Sequence, residues 1–132
     1  MDVVITGSRD WPPHKAHHIW NALRKIQEEC DNTYGLYSDY HSVTLHHGEC
    51  PFGGADLIGA SWADGAGWEV IPHPPIEQKG WAYAKRNQEM IDLNPHYVIA
   101  CFLEGAGNRG TQMTVDMAIA AGLEDRIVEV RA

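Results

Sequence analysis

Residues 101–121 read CFLEGAGNRGTQMTVDMAIAA, and this stretch decides the fold. The apolar run over 97–103 predicts a buried strand, and a loop rich in glycine follows it directly. The alanine-rich segment 111–121 then predicts a helix that Gly122 caps. A strand, a glycine loop and a helix N-terminus together can hold a phosphate, because backbone N–H groups converge there. The loop matches neither the dinucleotide-binding nor the P-loop consensus, so it identifies no cofactor by itself.

The rest of the chain alternates short apolar runs with helical patterns. Strands are predicted over 2–6, 43–47, 68–72, 97–103 and 126–130, and helices over 14–30, 55–66, 81–93 and 111–121. Residues 31–42 predict a surface loop. The alternation predicts one α/β domain over 1–132, Rossmann-like and three-layered, with a mostly parallel sheet of about five strands and helices on both faces. Ligands of such sheets bind beyond the carboxyl ends of the strands.

Composition is that of an ordinary globular domain. The 132 residues are 44% hydrophobic and 21% charged, which is enough apolar surface for a core. No apolar run approaches the roughly 18 residues of a membrane span, and the N-terminus has no signal-peptide pattern. Three cysteines without a CxxC spacing favour free thiols. We therefore predict a cytoplasmic protein without a membrane partner.

The charge pattern separates two classes of ligand. Ten basic and eighteen acidic residues give a net charge of −8, which disfavours nucleic acid as a partner. The cations nevertheless cluster in or beside the glycine loops and their neighbouring segments: Arg9, Lys79, Lys85, Arg86 and Arg109. This placement predicts a site for a small anion.

Arg86 is the most informative of these cations. It lies on the apolar stripe of the helix over 81–93, together with Tyr83, Met90 and Leu93. A guanidinium on an inward face needs a partner, because its burial alone is prohibitive. An ion pair with a carboxylate at the core edge would satisfy it, but the nearby glycine loops favour an anion site.

Other chemistry-bearing residues give weaker signals. No set of His, Cys, Asp and Glu has the spacing of metal ligands, so neither a metal nor a cofactor is predicted. Trp11 follows Arg9 and could stack on a base, although core packing is the simpler expectation. Cys50 lies in a loop near the predicted crevice, where a packing role is favoured over reactivity.

Four motifs together resemble one known family. They are TGSRD over 6–10, HGECPFGGAD over 47–56, RNQEM over 86–90, and Gly110-Thr111 with Ala121-Gly122. In this order they resemble the YspA-type, cpYpsA-related branch of the SLOG superfamily. That superfamily is Rossmann-like and includes the LOG phosphoribohydrolases, DprA-type DNA-processing proteins, and domains that bind nucleotide-derived ligands. The charge disfavours the DprA-like alternative here.

The resemblance implies a set of ligand-binding residues and a ligand class. The ligand would be a nucleoside monophosphate, ADP-ribose or an NAD relative, and relatives of this kind imply a homodimer. Gly7, Ser8 and Arg9 would form a first phosphate or ribose loop, and Gly48, Gly54 and Asp56 would flank the ribose or base. The remaining contacts would come from an arginine motif and a phosphate loop: Arg86, Asn87, Gly107, Arg109, Gly110 and Thr111.

One departure from the LOG pattern leaves the activity open. LOG enzymes carry a glutamate three residues after the threonine of Gly-Thr, and this chain has Thr114 there. Hydrolysis of an N-glycosidic bond needs a carboxylate near an oxocarbenium-like centre. Glu104, Asp56, Asp10 or Asp116 could replace it, and nothing in the sequence selects one, although Glu104 and Asp56 are the named candidates. We therefore expect a binding or sensing module, with a phosphoribohydrolase-like N-glycosidase as the alternative.

Overall fold

In the computed structural model, residues 1–34, 42–48 and 53–132 are described. Along the chain lie β1 (Asp2–Gly7), α1 (Ala16–Tyr34), β2 (Thr44–His47), α2 (Ala55–Gly65), β3 (Glu69–Pro72), α3 (Gly80–Asp92), β4 (Tyr97–Phe102), α4 (Arg109–Ala120) and β5 (Ile127–Arg131). Single 3-10 turns precede α1 and β5, at Pro13–Lys15 and Glu124–Arg126. The order of elements agrees with the predicted alternation.

Within the described residues, five strands form one parallel sheet in the order β3-β2-β1-β4-β5. The central strand β1 pairs Val4 with His46 of β2 on one side and with Val98 of β4 on the other. The chain thus moves outward from β1 to β3 and then returns to the opposite side of β1. The order reverses between β1 and β4, which is where ligands bind in open parallel sheets.

Helices cover both faces of the sheet. Val3 and Ile5 of β1 pack in a core with Ile19 and Leu23 of α1, and α2 joins the same face. On the opposite face, Val98 of β4 packs with residues of α3 and α4. This confirms the predicted three-layer α/β domain, since neighbouring side chains of a buried strand point to opposite layers.

None of the helices in the described parts of the chain combines the length and apolarity that crossing a bilayer demands. The helices instead alternate buried and exposed residues along their length. Such amphipathic helices are stabilised by packing one face on a sheet.

Helix α1 runs further than the apolar spacing predicts. The predicted loop 31–42 is wrong at its start, because residues 31–34 continue the helix. Gln27 donates a hydrogen bond from Nε2 to Oδ1 of Asp31 at 2.9 Å, one helical turn later. The apolar spacing marks only the residues on the buried face of a helix, and the last of these is Cys30. The final turn of α1 is largely exposed, so the spacing does not include it. Residues 35–41 lie outside the described residues.

The inward face of α3 also differs from the predicted stripe. Met90 is buried, but Tyr83 is 37% and Leu93 43% exposed. Asn87 and Ile91 are buried in their place. The crossing of α3 over the sheet sets this face, and Leu93 caps the helix at an exposed end. A polar side chain, Asn87, therefore belongs to the buried face, which the predicted stripe did not include.

Candidate functional site

A cleft of about 1280 Å³ opens at the carboxyl ends of β1 and β4. One wall is the loop after β1, and another is formed by the loop before α4 together with the first turn of that helix. Helix α3 and the segment 74–78 complete the lining. The cleft therefore lies at the reversal of strand order, as the parallel topology predicts.

The loop after β1 is fixed to the start of α2. The carbonyl oxygen of Ser8 accepts a hydrogen bond from Ala55 N–H at 3.0 Å, and Ser8 Oγ accepts one from Asp10 N–H at 3.0 Å. A Cβ atom at Gly7 would lie 2.5 Å from Cβ of Ala55 and 2.7 Å from Cβ of Cys101. Only glycine fits between this strand end and its neighbours, so the loop has little freedom to shift.

The loop before α4 is organised by Asn108, a residue that sequence reasoning missed. Its backbone is left-handed, with φ of 50°. Its side-chain amide accepts from Leu103 N–H at 3.0 Å and donates to the carbonyl oxygens of Leu103 at 2.8 Å and Ala106 at 3.3 Å. Asparagine tolerates this conformation and bonds to nearby backbone, so an Asn directly before a helix was an available signal. These bonds fix the direction in which α4 starts.

The first turn of α4 faces the cleft with Arg109, Gly110 and Thr111. The first N–H groups of a helix have no intrahelical acceptor, and no side chain caps this end. Arg109 is exposed, whereas Thr111 is buried. This turn combines unpaired backbone donors, the positive end of the helix dipole and a cation, which is the arrangement that binds an anionic group.

Thr114 does not contribute a catalytic group to this cleft. It is fully buried, and its hydroxyl bonds to the carbonyl oxygen of Gly110 at 3.1 Å, within α4. The position that carries a glutamate in the LOG pattern thus packs inside the fold here. A carboxylate that acts in this cleft must come from another element.

Arg86 joins three parts of the cleft wall. Its Nη1 donates to the carbonyl oxygens of Gly48 at 2.5 Å and His73 at 3.3 Å, and its Nε donates to Oδ1 of Asn87 at 2.8 Å. The guanidinium also lies over the ring of Tyr83, 5.6 Å from its centroid. Arg86 therefore holds the ends of β2 and β3 against α3, whatever else it binds.

Among the described residues, three carboxylates line the cleft, Asp10, Asp56 and Glu77. Of these, Asp56 bonds to Gly48, which Arg86 also contacts. It borders the cleft from the first turn of α2, and its Oδ2 accepts a hydrogen bond from Gly48 N–H at 3.2 Å. Its Oδ1 is shielded from solvent and has no hydrogen-bond partner in the described part of the chain. Burial raises the pKa of Asp56 to about 6, although the Gly48 N–H and the Arg86 guanidinium both act to lower it. The carboxyl group thus titrates near neutral pH.

The cleft brings together most of the predicted ligand-binding residues. Those that line it are Gly7, Ser8, Arg9, Gly48, Asp56, Arg86, Asn87, Gly107, Arg109, Gly110 and Thr111. Their roles toward a ligand stay predictions. The lining also includes residues that the sequence did not indicate: Pro74, Pro75, Ile76, Tyr83 and Met113.

Two predicted residues lie apart from the described lining. Gly54 packs directly against the loop after β1, because a Cβ there would lie 2.4 Å from Cα of Arg9 and 2.5 Å from the Ser8 carbonyl oxygen. Glu104 is exposed, and its N–H donates to the carbonyl oxygen of Ala132 at 2.7 Å, beside β5. Glu104 is therefore not among the residues that line this cleft, and its catalytic role stays a prediction.

Trp11 is not a base-stacking platform. Its side chain is only 3% exposed and packs in the core with α1, and its indole N–H donates to the carbonyl oxygen of Lys15 at 2.9 Å. The simpler expectation, core packing, is confirmed. Cys50 lies outside the described residues.

A parallel sheet between two layers of helices, with a cleft where the strand order reverses, defines a Rossmann-like protein. The model of the YspA, cpYpsA-related SLOG family matches residues 1–80, and the chain belongs to this family. Searches of curated proteins and of solved structures gave no significant match. The matched part includes the loop after β1 and Asp56, whereas Arg86 and the α4 turn follow it in the chain.

Proposed function

We propose that this protein binds a nucleotide or a nucleotide-derived ligand in the cleft at the carboxyl ends of the strands, and acts as a sensor or sequestering module. The ligand class is a nucleoside monophosphate, ADP-ribose or an NAD relative. Membership of the SLOG family supports a nucleotide-related function. The observation that carries the proposal is the first turn of α4 with Arg109, opposite the loop that bears Arg9.

The two arginines give the cleft a local charge opposite to that of the whole chain. Arg9 and Arg109 are both exposed and both line the cleft, while the chain carries a net charge of −8. The acidic remainder repels a polyanion, and a compact phosphate can still approach between two guanidinium groups. The volume of the cleft also exceeds the roughly 300–1,000 Å³ of common small-molecule sites, so the cleft is large enough for a dinucleotide as well.

The experiment is calorimetric titration with the four common nucleoside monophosphates, NAD, ADP-ribose and inorganic phosphate. We expect at least one nucleotide to bind, and Arg109→Ala to weaken it about tenfold, because a charge-assisted hydrogen bond is lost. Arg24→Ala is the matched control, since Arg24 is exposed on α1 and lies outside the described lining. Arg86→Ala is a poor probe of anion binding, because it also releases the Gly48 and His73 carbonyls.

Absence of binding by every nucleotide would overturn the proposal. Equal affinity of the wild type and Arg109→Ala would remove the α4 turn from the site. Nucleotide affinity that does not exceed phosphate affinity would reduce the site to a general anion site.

A second candidate function, N-glycosidic hydrolysis, is favoured by one observation. Asp56 borders the cleft, and its pKa of about 6 suits proton transfer near neutral pH. Chromatography of each nucleotide after incubation with the protein tests it, because hydrolysis releases free base. Release by the wild type and its loss in Asp56→Asn would establish the activity, whereas intact nucleotides throughout would leave a binding module.

The homodimer implied by the family resemblance stays a proposal. Ile76, Trp81 and Tyr83 present exposed apolar surface beside the cleft, with Ile76 72% exposed. An exposed apolar cluster of this kind favours association of two copies. Light scattering coupled to size-exclusion chromatography measures the mass directly, and a monomer at all concentrations would contradict the proposal.

A further inference from the structure

The described residues leave one buried polar atom without a partner, and it belongs to a residue of the cleft. Oδ1 of Asp56 is shielded from solvent and receives no hydrogen bond within the described ranges. The other oxygen, Oδ2, already accepts from Gly48 N–H at 3.2 Å. An unsatisfied buried acceptor costs roughly 1–3 kcal/mol, and more if it is charged. A group that supplies the missing donor therefore recovers that free energy.

Among the described elements around Asp56, none supplies a further donor to this oxygen. From the end of β2, the N–H of Gly48 faces Oδ2. From α3, the guanidinium of Arg86 acts on the carboxyl group electrostatically, while its Nη1 and Nε bond to other acceptors. From β4, the Cys101 thiol has a pKa that burial raises, and the nearby charge of Asp56 raises it further. The open side of Asp56 is the cleft.

We infer that Asp56 accepts a hydrogen bond from a neutral O–H or N–H group of the ligand, and so selects ligands that present such a donor beside an anionic group. The inference rests on the proposed function and adds which ligand groups the part of the cleft at Asp56 selects. Asp56 lines the cleft, so a ligand bound there lies next to the residue that carries this unpartnered acceptor. A ligand that lacks this donor group leaves the Asp56 acceptor without a hydrogen bond, so we expect it to bind much more weakly.

The same geometry gives the ligand a direction. The cations at the α4 turn and the loop after β1, Arg109 and Arg9, are exposed, whereas the Asp56 carboxyl group is enclosed. An anionic group next to a buried carboxylate is repelled, but at the α4 turn it meets unpaired N–H groups and a cation. The phosphate therefore lies at the α4 turn, and the neutral donor points to Asp56.

Two donors of a nucleotide fit this chemistry, a ribose hydroxyl and a base amino group. Asp56→Asn separates them, because the amide oxygen must face Gly48 N–H and the NH₂ group then takes the place of Oδ1. A ribose hydroxyl can turn and accept a hydrogen bond from this NH₂ group. The ligand then loses only the extra strength that the hydrogen bond has when its acceptor is charged. A base N–H group has no such option and is left facing another donor.

The test uses calorimetric titration of the full chain with AMP, 2′-deoxy-AMP, 3′-deoxy-AMP and ADP-ribose. For a hydroxyl donor, we expect one deoxy analogue to bind the wild type about 10- to 100-fold more weakly than AMP, and Asp56→Asn to reduce that difference. For an amino donor, the deoxy analogues bind like AMP, and Asp56→Asn weakens all adenine ligands together. Asp64→Asn is the matched control, because Asp64 is exposed at the other end of α2.

Proton release provides a readout that a purely structural role would not change. ADP-ribose has no phosphate that titrates near pH 6, so a donor that binds to the Asp56 carboxylate releases protons from the protein at that pH. Titration of ADP-ribose in two buffers of different ionisation enthalpy measures the release, and Asp56→Asn should abolish it. The neighbouring groups, Arg86 and His73, remain in both proteins and cancel in the comparison.

The outcomes separate this inference from the proposed function. If no nucleotide binds the wild type, the proposed function itself fails. If nucleotides bind but affinity is equal for AMP, both deoxy analogues and Asp56→Asn, only the inference is overturned. For a hydroxyl donor, the comparison of deoxy analogues on the wild type needs no variant. For an amino donor, inosine monophosphate, which lacks the amino group of AMP, should bind the wild type about 10- to 100-fold more weakly than AMP, so a folding defect in Asp56→Asn obscures neither result.

Discussion

The Nη1 atom of Arg86 donates a hydrogen bond to the carbonyl oxygen of Gly48, and the N–H of the same glycine donates to Asp56. The two charged side chains thus lie on either side of one peptide segment at the end of β2. A Cβ atom at Gly48 would lie 2.3 Å from Nη1, so no larger residue fits beside the guanidinium as it stands. This glycine sets the distance between the cation and the carboxylate of the cleft.

Arg86→Lys should destabilise the protein although it keeps the charge. A lysine has no planar fork that reaches Gly48, His73 and Asn87 together, so buried carbonyl groups lose donors. We expect a loss of roughly 1–3 kcal/mol in the free energy of unfolding, measured by urea denaturation. Arg24→Lys on the exposed face of α1 is the control. Equal stability of the two variants would show that the charge alone suffices at position 86.

Asp56→Asn should change how stability depends on pH. The pKa of Asp56 is about 6 in the folded protein, above the ordinary value of 3.8 for an aspartate, so the folded state binds more protons than the unfolded state between these pH values. Wild-type stability therefore falls, relative to the variant, as the pH rises from about 4 to about 6, and the difference is constant above that. The pH-dependent part amounts to roughly 2–3 kcal/mol.

Urea denaturation of both proteins at several pH values measures this difference. The fixed cost of the amide is the same at every pH and drops out of the comparison. A difference in stability that does not vary between pH 4 and pH 7.5 would contradict the raised pKa.

Gly54→Ala should be more damaging than Gly53→Ala. Both glycines have positive φ, of 90° and 98°, so both variants carry backbone strain of roughly 1–2 kcal/mol. At Gly54 the new Cβ also meets the backbone of Ser8 and Arg9 within 2.6 Å, whereas at Gly53 it meets no atom of the described residues within 4 Å. Thermal denaturation ranks the two variants, and equal losses would show that the loop after β1 can move aside.

Asn108→Ala should weaken both the fold and the start of α4. The variant loses the hydrogen bonds to Leu103 and Ala106 and places alanine at φ of 50°. We expect a loss of roughly 2 kcal/mol or more in the free energy of unfolding. Asn108→Gly tolerates the backbone but lacks the amide, so it should lie between the wild type and Asn108→Ala. If Asn108→Gly is as stable as the wild type, the side-chain bonds contribute nothing.

The order of strands and helices could be predicted from the sequence because the relevant signals are local. Apolar runs of four to six residues define β1 and β4, and glycine with alanine marks the loop and helix after residue 103. Prediction failed at residues 31–34, because α1 continues for one turn beyond the last residue of its buried face. It also failed on α3, where the packing angle of the helix, rather than its period, buries Asn87 and exposes Tyr83.

The sequence by itself determined the layer order, the parallel sheet and the family to which the chain belongs, since these follow from periodicity and short motifs. Only the tertiary structure decided between Asp56 and Glu104: of these two, Asp56 lines the cleft, as Asp10 and Glu77 also do. Asp56 and Glu104 are equivalent in a sequence, as acidic residues beside glycine loops. Burial raises the pKa of Asp56, whereas Glu104 is exposed. Desolvation depends on the packing of distant segments, and no local pattern in the sequence records it.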